Sequence, residues 1–141
     1  MAQEYDLAGR VIGLAMKVHT TLGPGFLESV YRNALALELR QAGYAFEVEK
    51  PLDVVYRGQI VGKFIADIVV EGVLILELKA VESLMTAHEV QLVNYLTATG
   101  IDEGLLLNFG GASLEIRKKY RKYRKSRLRA SDNSANSVNS V

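Results

Sequence analysis

An acid and a base, Glu77 and Lys79, stand two positions apart inside the most apolar stretch of the chain, residues 73–80. If this stretch is a strand, alternation sends its three leucines to one face and both charged side chains to the other. Charges that project from a mostly buried strand destabilise a fold unless a partner charge, a metal ion or a water-filled active site compensates them. Residues 64–70 form a similar apolar run with one acid, Asp67. Three ionisable groups on two core strands therefore indicate a site.

A structural ion pair is the competing interpretation of Glu77 and Lys79. Acid-x-base triplets are common by chance, and two more occur in this chain, at residues 38–40 and 115–117. Those two lie in an amphipathic helix pattern and at the head of a basic run, where solvated charges are expected. Glu77 and Lys79 instead have apolar neighbours on both sides, so the triplet alone leaves both interpretations open.

Polar side chains on two predicted helices are further candidates. Glu28 lies near the start of one helix, and Gln91 and Tyr95 lie on another, four residues apart and so on one face. Each has a structural alternative. Glu28 could be the N3 acid of a helix capped by Gly25, and Gln91 and Tyr95 could cover a core face with their polar ends in water.

The elements that would position these residues follow from periodicity and turn signals. Apolar residues recur at helical spacing in three segments and alternate or run continuously in five others. The predicted order is α-α-β-β-β-α-β-β, with helices near 4–21, 26–42 and 84–99 and strands near 44–56, 60–70, 73–80, 103–109 and 113–117. The third helix is long enough for a parallel crossover. We therefore predict an α/β (α+β) domain with one mixed sheet flanked by helices; no phosphate loop or Rossmann fingerprint is present.

The turn between the second and third strands decides whether Asp67 and Glu77 share a face. A plain two-residue turn at Glu71 and Gly72 would put the two acids on opposite faces. A shared metal therefore requires a three-residue loop or a bulge near Gly72, and we predict one. A pairing of Asp67 with Lys63, on the same face of its strand, would instead make Asp67 structural.

Composition bounds the class of protein. A chain of 141 residues, 49% of them hydrophobic, is long enough for one domain with a real core. The lack of cysteine excludes a disulfide framework and thiolate metal sites, and it suits a reducing compartment. No signal-peptide pattern and no apolar run of transmembrane length occur. A cytoplasmic protein without a membrane partner is expected.

Charge is distributed unevenly along the chain. Residues 117–129 hold nine Lys and Arg, whereas residues 1–116 hold eight basic and fifteen acidic ones. We expect a domain over 1–116, a basic segment over 117–129 and a disordered Ser/Asn-rich tail over 130–141. A basic block with tyrosines suits nucleic acid, although a solubilising tail remains the alternative. The candidate nucleic-acid-binding residues are Lys118, Lys119, Arg121, Lys122, Arg124 and Lys125.

The candidate residues fall in an order that resembles a known superfamily. A helical Glu, a strand Asp, a Glu-x-Lys on the next strand and a Gln-x-x-x-Tyr on the following helix resemble the PD-(D/E)XK nuclease superfamily, particularly its RecB-like members. Residues 25–31, Gly-Phe-Leu-Glu-Ser-Val-Tyr, look like the namesake motif of the small bacterial GxxExxY family, which is assigned to that superfamily. The resemblance covers about residues 5–120 and implies a restriction-endonuclease-like core.

The resemblance implies a carboxylate-bound Mg²⁺, with Mn²⁺ as a substitute. Asp67 and Glu77 would be its ligands, the Leu78 carbonyl would add a third, and Glu28 would complete or support the metal shell. Lys79 would orient or activate the attacking water. Such an ion can neutralise a phosphodiester and generate hydroxide near neutral pH, so the chemistry of these residues agrees with the resemblance.

The remaining implications concern partners. Gln91 and Tyr95 would hold the site or the nucleic-acid backbone, and DNA is the expected substrate, with RNA as the second choice. Ala66 stands where the superfamily name has a proline before Asp67, which is a departure from the pattern. We expect a nuclease that works as a monomer or a homodimer. A catalytically silent nucleic-acid-binding or adaptor module on the same fold is the alternative, and an interaction protein with a structural charge network is a third.

Overall fold

The computed structural model describes residues 6–121, and they form the eight elements in the predicted order. The elements are α1 (Leu7–Leu22), α2 (Glu28–Gln41), β1 (Phe46–Tyr56), β2 (Gln59–Val70), β3 (Leu74–Lys79), α3 (Thr86–Thr99), β4 (Glu103–Asn108) and β5 (Glu115–Tyr120). Within residues 6–121, no helix has the length and hydrophobicity of a transmembrane span.

One mixed sheet organises the chain, as predicted. Its five strands lie in chain order, β1-β2-β3-β4-β5. Three of the four pairings are antiparallel, and β3 pairs with β4 in parallel because α3 carries the chain back to the starting end of the sheet.

The turn between β2 and β3 has the predicted three residues. Val70 pairs with Leu74, so residues 71–73 form the loop, and Glu71 and Gly72 take positive φ values of 55° and 71°. Asp67 and Glu77 therefore fall opposite one another in the register, on the same face of the hairpin.

Helices cover both faces of the sheet. Alternate residues of β3 and β4, such as Leu76 and Leu107, pack with α1 and α2 in one buried cluster. The residues between them, such as Ile75 and Leu106, pack against Leu92 of α3 in a second cluster. The fold is thus a three-layer sandwich, and β3 is buried on both faces.

The long hairpin of β1 and β2 changes layers at Glu49 and Asp67. On β2, Ile68 packs in the α1/α2 cluster, whereas Ala66, of the same parity, packs in the α3 cluster. Glu49 lies between two paired positions of β1 and has a φ of 52°, a left-handed conformation that few non-glycine residues adopt. The pleat is therefore interrupted beside Asp67.

The strand β5 runs further than predicted. The sequence indicated a strand over residues 113–117, but β5 continues to Tyr120 and takes in the first basic residues of the 117–129 segment. Ion pairs hold these residues: Lys119 Nζ lies 2.6 Å from Glu89 and Lys118 Nζ lies 3.9 Å from Glu103. The predicted nucleic-acid contacts Lys122, Arg124 and Lys125, and the Ser/Asn-rich tail over 130–141, lie outside the described residues.

Candidate active site

The acids of β2 and β3 meet where the two strands separate. Backbone pairing between the strands ends at Ile68 and Leu76, one position before Asp67 and Glu77. The Leu78 amide donates to Asp67 Oδ2 at 2.7 Å, and the Asp67 amide donates to Glu77 Oε2 at 3.4 Å. Carboxylates thus replace the missing backbone bonds at this point, which accounts for two polar groups between core strands.

Burial raises the pKa of both acids. For Asp67 the Leu78 hydrogen bond and nearby positive charges oppose the rise. For Glu77, burial and then the charge of Asp67 raise the pKa to about 8. Near neutral pH the pair therefore holds a proton, and a cation between the two carboxylates would relieve both the burial cost and their repulsion.

Glu28 enters the site from the other side, on α2. It is the first residue of that helix, whose N-cap is Leu27, so the alternative of an N3 acid capped by Gly25 is wrong. Burial and the negative charge of Asp67 raise the pKa of Glu28, and the positive charge of Lys79 opposes this rise. The helix start therefore places Glu28 within the electrostatic field of the strand residues.

Lys79 ends β3 and is half-buried. Burial raises the pKa of Asp67 and of Glu77, and the Lys79 charge opposes the rise at both. The alternative partner for Asp67 is occupied elsewhere, since Lys63 Nζ donates to Asp53 Oδ1 at 2.8 Å on the exposed part of the hairpin. Lys79 is thus a cation that acts on all three acids of the site.

Tyr95 and Gln91 border the site from α3. Burial and then the charge of Glu77 raise the pKa of Tyr95, while a hydrogen bond from Gln91 lowers it. The Tyr95 ring stacks on Phe64 with centroids 3.5 Å apart and planes 7° apart. The aromatic ring therefore belongs to the core, as the structural alternative held, while its hydroxyl stands near the buried carboxylate.

Tyr31 is a residue whose role sequence reasoning missed. It is fully buried, its hydroxyl donates to the Gly23 carbonyl at 2.5 Å, and the Phe26 amide donates to that hydroxyl at 3.2 Å. Its ring stacks on Phe109 at 4.7 Å. These bonds hold the loop that leads into α2, so Tyr31 fixes the point from which Glu28 projects. The motif of residues 25–31 contained this signal.

Arg32 and Glu49 were not identified from the sequence either. Arg32 lies one turn after Glu28 on α2, and its Nη2 stands 3.7 Å from Glu49 Oε2. Burial raises the pKa of Asp67; Arg32 opposes that rise and Glu49 adds to it, so both charges lie near the site. The spacing of Glu28 and Arg32, four residues apart on a helix, was the available signal.

The donor set fits a hard divalent cation held by few protein ligands. Within residues 6–121 no group of three or more His, Cys, Asp or Glu side chains is placed to hold a metal. Mg²⁺ commonly uses one or two carboxylates and keeps several waters. Asp67 and Glu77 meet that need together with the carbonyl of Leu78, which follows Glu77 in the chain and donates its N–H to Asp67. The part of Glu28 in the metal shell stays a prediction.

A family model covers all of the described residues. The model of the PD-(D/E)XK nuclease superfamily matches residues 5–121. The chain belongs to this superfamily. The resemblance inferred from the order of the site residues is thereby confirmed, and the mixed sheet with flanking helices is the restriction-endonuclease-like core expected for PD-(D/E)XK proteins. The narrower assignment to the GxxExxY family stays a prediction.

One solved structure shares the fold at low identity, and a second matches more weakly. The crystal structure of SSO0001 is 17% identical with a TM-score of 0.54; the match covers 71% of this chain and 52% of that one, so the chain spans about half the length of SSO0001. An alkaline exonuclease from Laribacter hongkongensis is 12% identical with a TM-score of 0.45, and the match covers 91% of this chain and 76% of that one. A TM-score this low supports no inference about the present chain. No curated protein matches the chain.

Proposed function

We propose that this PD-(D/E)XK protein is a metal-dependent nuclease that hydrolyses phosphodiester bonds of DNA, with RNA as the second substrate class. The observation that carries the proposal is the meeting of Asp67 and Glu77 where β2 and β3 separate, with Lys79 beside them. A purely structural charge network would not need two repelling acids there, because apolar residues of similar volume would often be more stable.

The proposed division of work follows from the position of each side chain. Asp67, Glu77 and the Leu78 carbonyl would hold Mg²⁺ or Mn²⁺. When bound, the ion would neutralise charge on the phosphate and lower the pKa of a water molecule. Lys79 would orient that water by donating a hydrogen bond, and Glu28 would support the shell through water.

The α3 side of the site would position the substrate. The Tyr95 hydroxyl, bonded to Gln91, lies within the electrostatic field of Glu77. A hydroxyl and an amide are suited to donating to phosphate oxygens, which fix the register of a nucleic acid without reading its sequence. Contacts of this kind would let a small domain act on many sequences.

Cleavage assays with the full chain test the proposal. Plasmid DNA, linear duplex, single-stranded DNA and single-stranded RNA would each be incubated with Mg²⁺ or Mn²⁺, and Mn²⁺ binding would be measured by calorimetry. We expect cleavage and Mn²⁺ binding by the wild type and loss of both in Asp67→Asn. Lys63→Gln, a change on the same strand away from the site, is the matched control and should leave both intact.

Two results would reject the nuclease proposal. Mn²⁺ binding that depends on Asp67, without cleavage of any of the four substrates, would favour the silent binding module. Lack of Mn²⁺ binding by the folded wild type would favour a structural charge network instead.

A further inference from the structure

The ion pair of Arg32 and Glu49 stands at the edge of the site and has no place in the proposed metal chemistry. We propose that Arg32 binds a non-bridging phosphate oxygen of the nucleic-acid backbone. Glu49 would pair with the Arg32 guanidinium only until the substrate displaces the Glu49 carboxylate. This inference rests on the proposed function, because it assigns the residue that holds the substrate phosphate.

Arg32 has hydrogen-bonding capacity that the described residues do not use. Its side chain is only 19% exposed, yet Nε is buried and has no hydrogen-bond partner within residues 6–121. Its contact with Glu49, at 3.7 Å, is longer than a hydrogen bond. A buried donor without an acceptor is costly, and the planar guanidinium fork matches the oxygens of a phosphate. A phosphate that takes the place of the Glu49 carboxylate would give the guanidinium an acceptor at hydrogen-bond distance.

The position of Arg32 on α2 places its unused hydrogen-bond donor near the site. Arg32 follows Glu28 by four residues on α2, so both side chains leave the same face of the helix. Burial raises the pKa of both Glu28 and Asp67, and the charge of Arg32 opposes the rise at each. A phosphate bound by Arg32 would therefore lie next to the carboxylates that are proposed to hold the metal.

The backbone at Glu49 supports the idea that its contact is temporary. Glu49 lies on edge strand β1, opposite Asp67 in the register, with a φ of 52°. Non-glycine residues in this conformation are strained, and such strain concentrates at functional sites. The Glu49 side chain is 60% exposed, so water can solvate its carboxylate when it leaves Arg32. A carboxylate in this position mimics the charge of a phosphate without making the two-point contact that a phosphate can make.

A purely structural role for the pair and a metal-binding role for Glu49 are the two alternatives to this assignment. If the pair is purely structural, removing either partner should have the same effect. If Glu49 is an additional metal ligand, removing it should reduce the number of Mn²⁺ ions bound. The proposal instead requires opposite behaviour of the two residues toward nucleic acid and an unchanged number of metal ions.

The test compares single variants of the full chain. Binding of a fluorescent single-stranded oligodeoxynucleotide would be measured by anisotropy with Ca²⁺ in place of Mg²⁺, and Mn²⁺ binding would be measured by calorimetry. Arg32→Gln should weaken oligonucleotide binding about tenfold or more. The same variant should bind Mn²⁺ as tightly as the wild type or more tightly, because a positive charge near the carboxylates is removed. Glu49→Gln should bind the oligonucleotide equally or more tightly, with unchanged Mn²⁺ stoichiometry.

Arg40→Gln is the matched control, since it makes the same charge change at an exposed position of the same helix, and it should leave oligonucleotide affinity within about twofold of wild type. Unchanged affinity in Arg32→Gln would overturn the proposal. So would an equal loss in Glu49→Gln, or a lower Mn²⁺ stoichiometry in that variant. If Arg32→Gln melts early, Arg32→Lys, which keeps the charge but not the fork, should still weaken binding measurably, and wild-type affinity would again overturn the proposal.

The outcome separates this inference from the proposed nuclease function. If the wild type cleaves no nucleic acid but the affinities follow the expected pattern, the phosphate site stands and the nuclease proposal falls. If the wild type cleaves with a KM that Arg32→Gln does not change, the nuclease proposal stands and the assignment of Arg32 falls.

Discussion

Asp67 and Glu77 lie opposite each other in the register of β2 and β3, but the backbones have already separated there. The bonds at this point run from amide to carboxylate: Asp67 N–H donates to Glu77 Oε2 at 3.4 Å, and Leu78 N–H donates to Asp67 Oδ2 at 2.7 Å. The two carboxylates therefore fill the gap that opens between the strands. This relationship leads to predictions about stability, catalysis and binding.

Without metal, the protein should lose stability as the pH rises. The pKa of Glu77 is about 8 in the folded chain, because burial and the charge of Asp67 raise it from its ordinary 4.5. The folded state therefore holds this proton more tightly than the unfolded state does. The resulting stabilisation is complete below pH 4.5 and is lost as the pH rises through about 8. Within this window the free energy of unfolding should fall by up to about 1.4 kcal/mol per pH unit.

Urea denaturation in EDTA, at a series of pH values, measures this dependence. Glu77→Gln cannot ionise and should show a flatter curve and a higher free energy of unfolding at pH 8, by about 1–3 kcal/mol. Adding Mn²⁺ to the wild type should restore stability at high pH. A wild-type stability that increases from pH 5 to pH 8 in EDTA would contradict the raised pKa.

Lys79→Ala should remove cleavage while metal binding survives. The Lys79 ammonium is proposed to orient the attacking water, so its loss should lower kcat by about 100-fold or more. Mn²⁺ affinity should hold or increase, because Lys79 no longer opposes the metal ion near the acids. Single-turnover cleavage and calorimetry measure the two quantities. The matched control is Lys63→Ala, which removes an exposed lysine paired with Asp53, and activity retained in Lys79→Ala would exclude the proposed role.

Tyr31→Phe should show what the Tyr31 hydroxyl contributes to the loop before α2. The change leaves the ring stacked on Phe109 but leaves the Gly23 carbonyl and the Phe26 amide without their partner. We expect a loss of about 1–2 kcal/mol in the free energy of unfolding, together with a lower kcat because Glu28 is held less firmly. Tyr56→Phe, on an exposed tyrosine, is the control and should change neither quantity. Full activity in Tyr31→Phe would show that the loop needs no such restraint.

Removing residues 122–141 should weaken nucleic-acid binding if the basic segment contacts phosphates. The break belongs after Arg121, because a shorter chain would lose part of β5. Affinity should fall for all sequences alike, and the slope of log affinity against log salt should flatten by about 0.9 for each lost duplex phosphate contact. Mn²⁺ binding should be unchanged. An unaltered salt slope would assign the segment to solubility.

Local rules were sufficient for the element order and for the position of the acids. Alternation within β2 and β3, with the need for Asp67 and Glu77 to share a face, predicted the three-residue loop that the register contains. This worked because strand parity and turn length are properties of adjacent residues. Apolar periodicity likewise predicted all three helices, with bounds that shifted by a few residues.

Charge runs were interpreted less well. The basic residues after 116 indicated a solvated segment, yet Arg117 and Lys119 both lie on β5 within reach of Glu89 on α3, at 3.4 Å and 2.6 Å. No pattern in residues 113–121 indicates that Glu89 is their partner. Whether a charge is solvated depends on the acids that the fold brings to it from distant parts of the chain.

The same reason accounts for the failure to identify Arg32, Glu49 and Tyr31 from the sequence. Each depends on contacts across elements: Arg32 on α2 meets Glu49 on β1 near Asp67 on β2, and Tyr31 stacks on a residue that follows β4. The residue types needed for metal chemistry, and the strand faces that carry them, could be derived from the amino-acid order because periodicity is local. Which helix faces these strands, and which carboxylate from the edge strand stands beside the site, was decided only when the layers packed together.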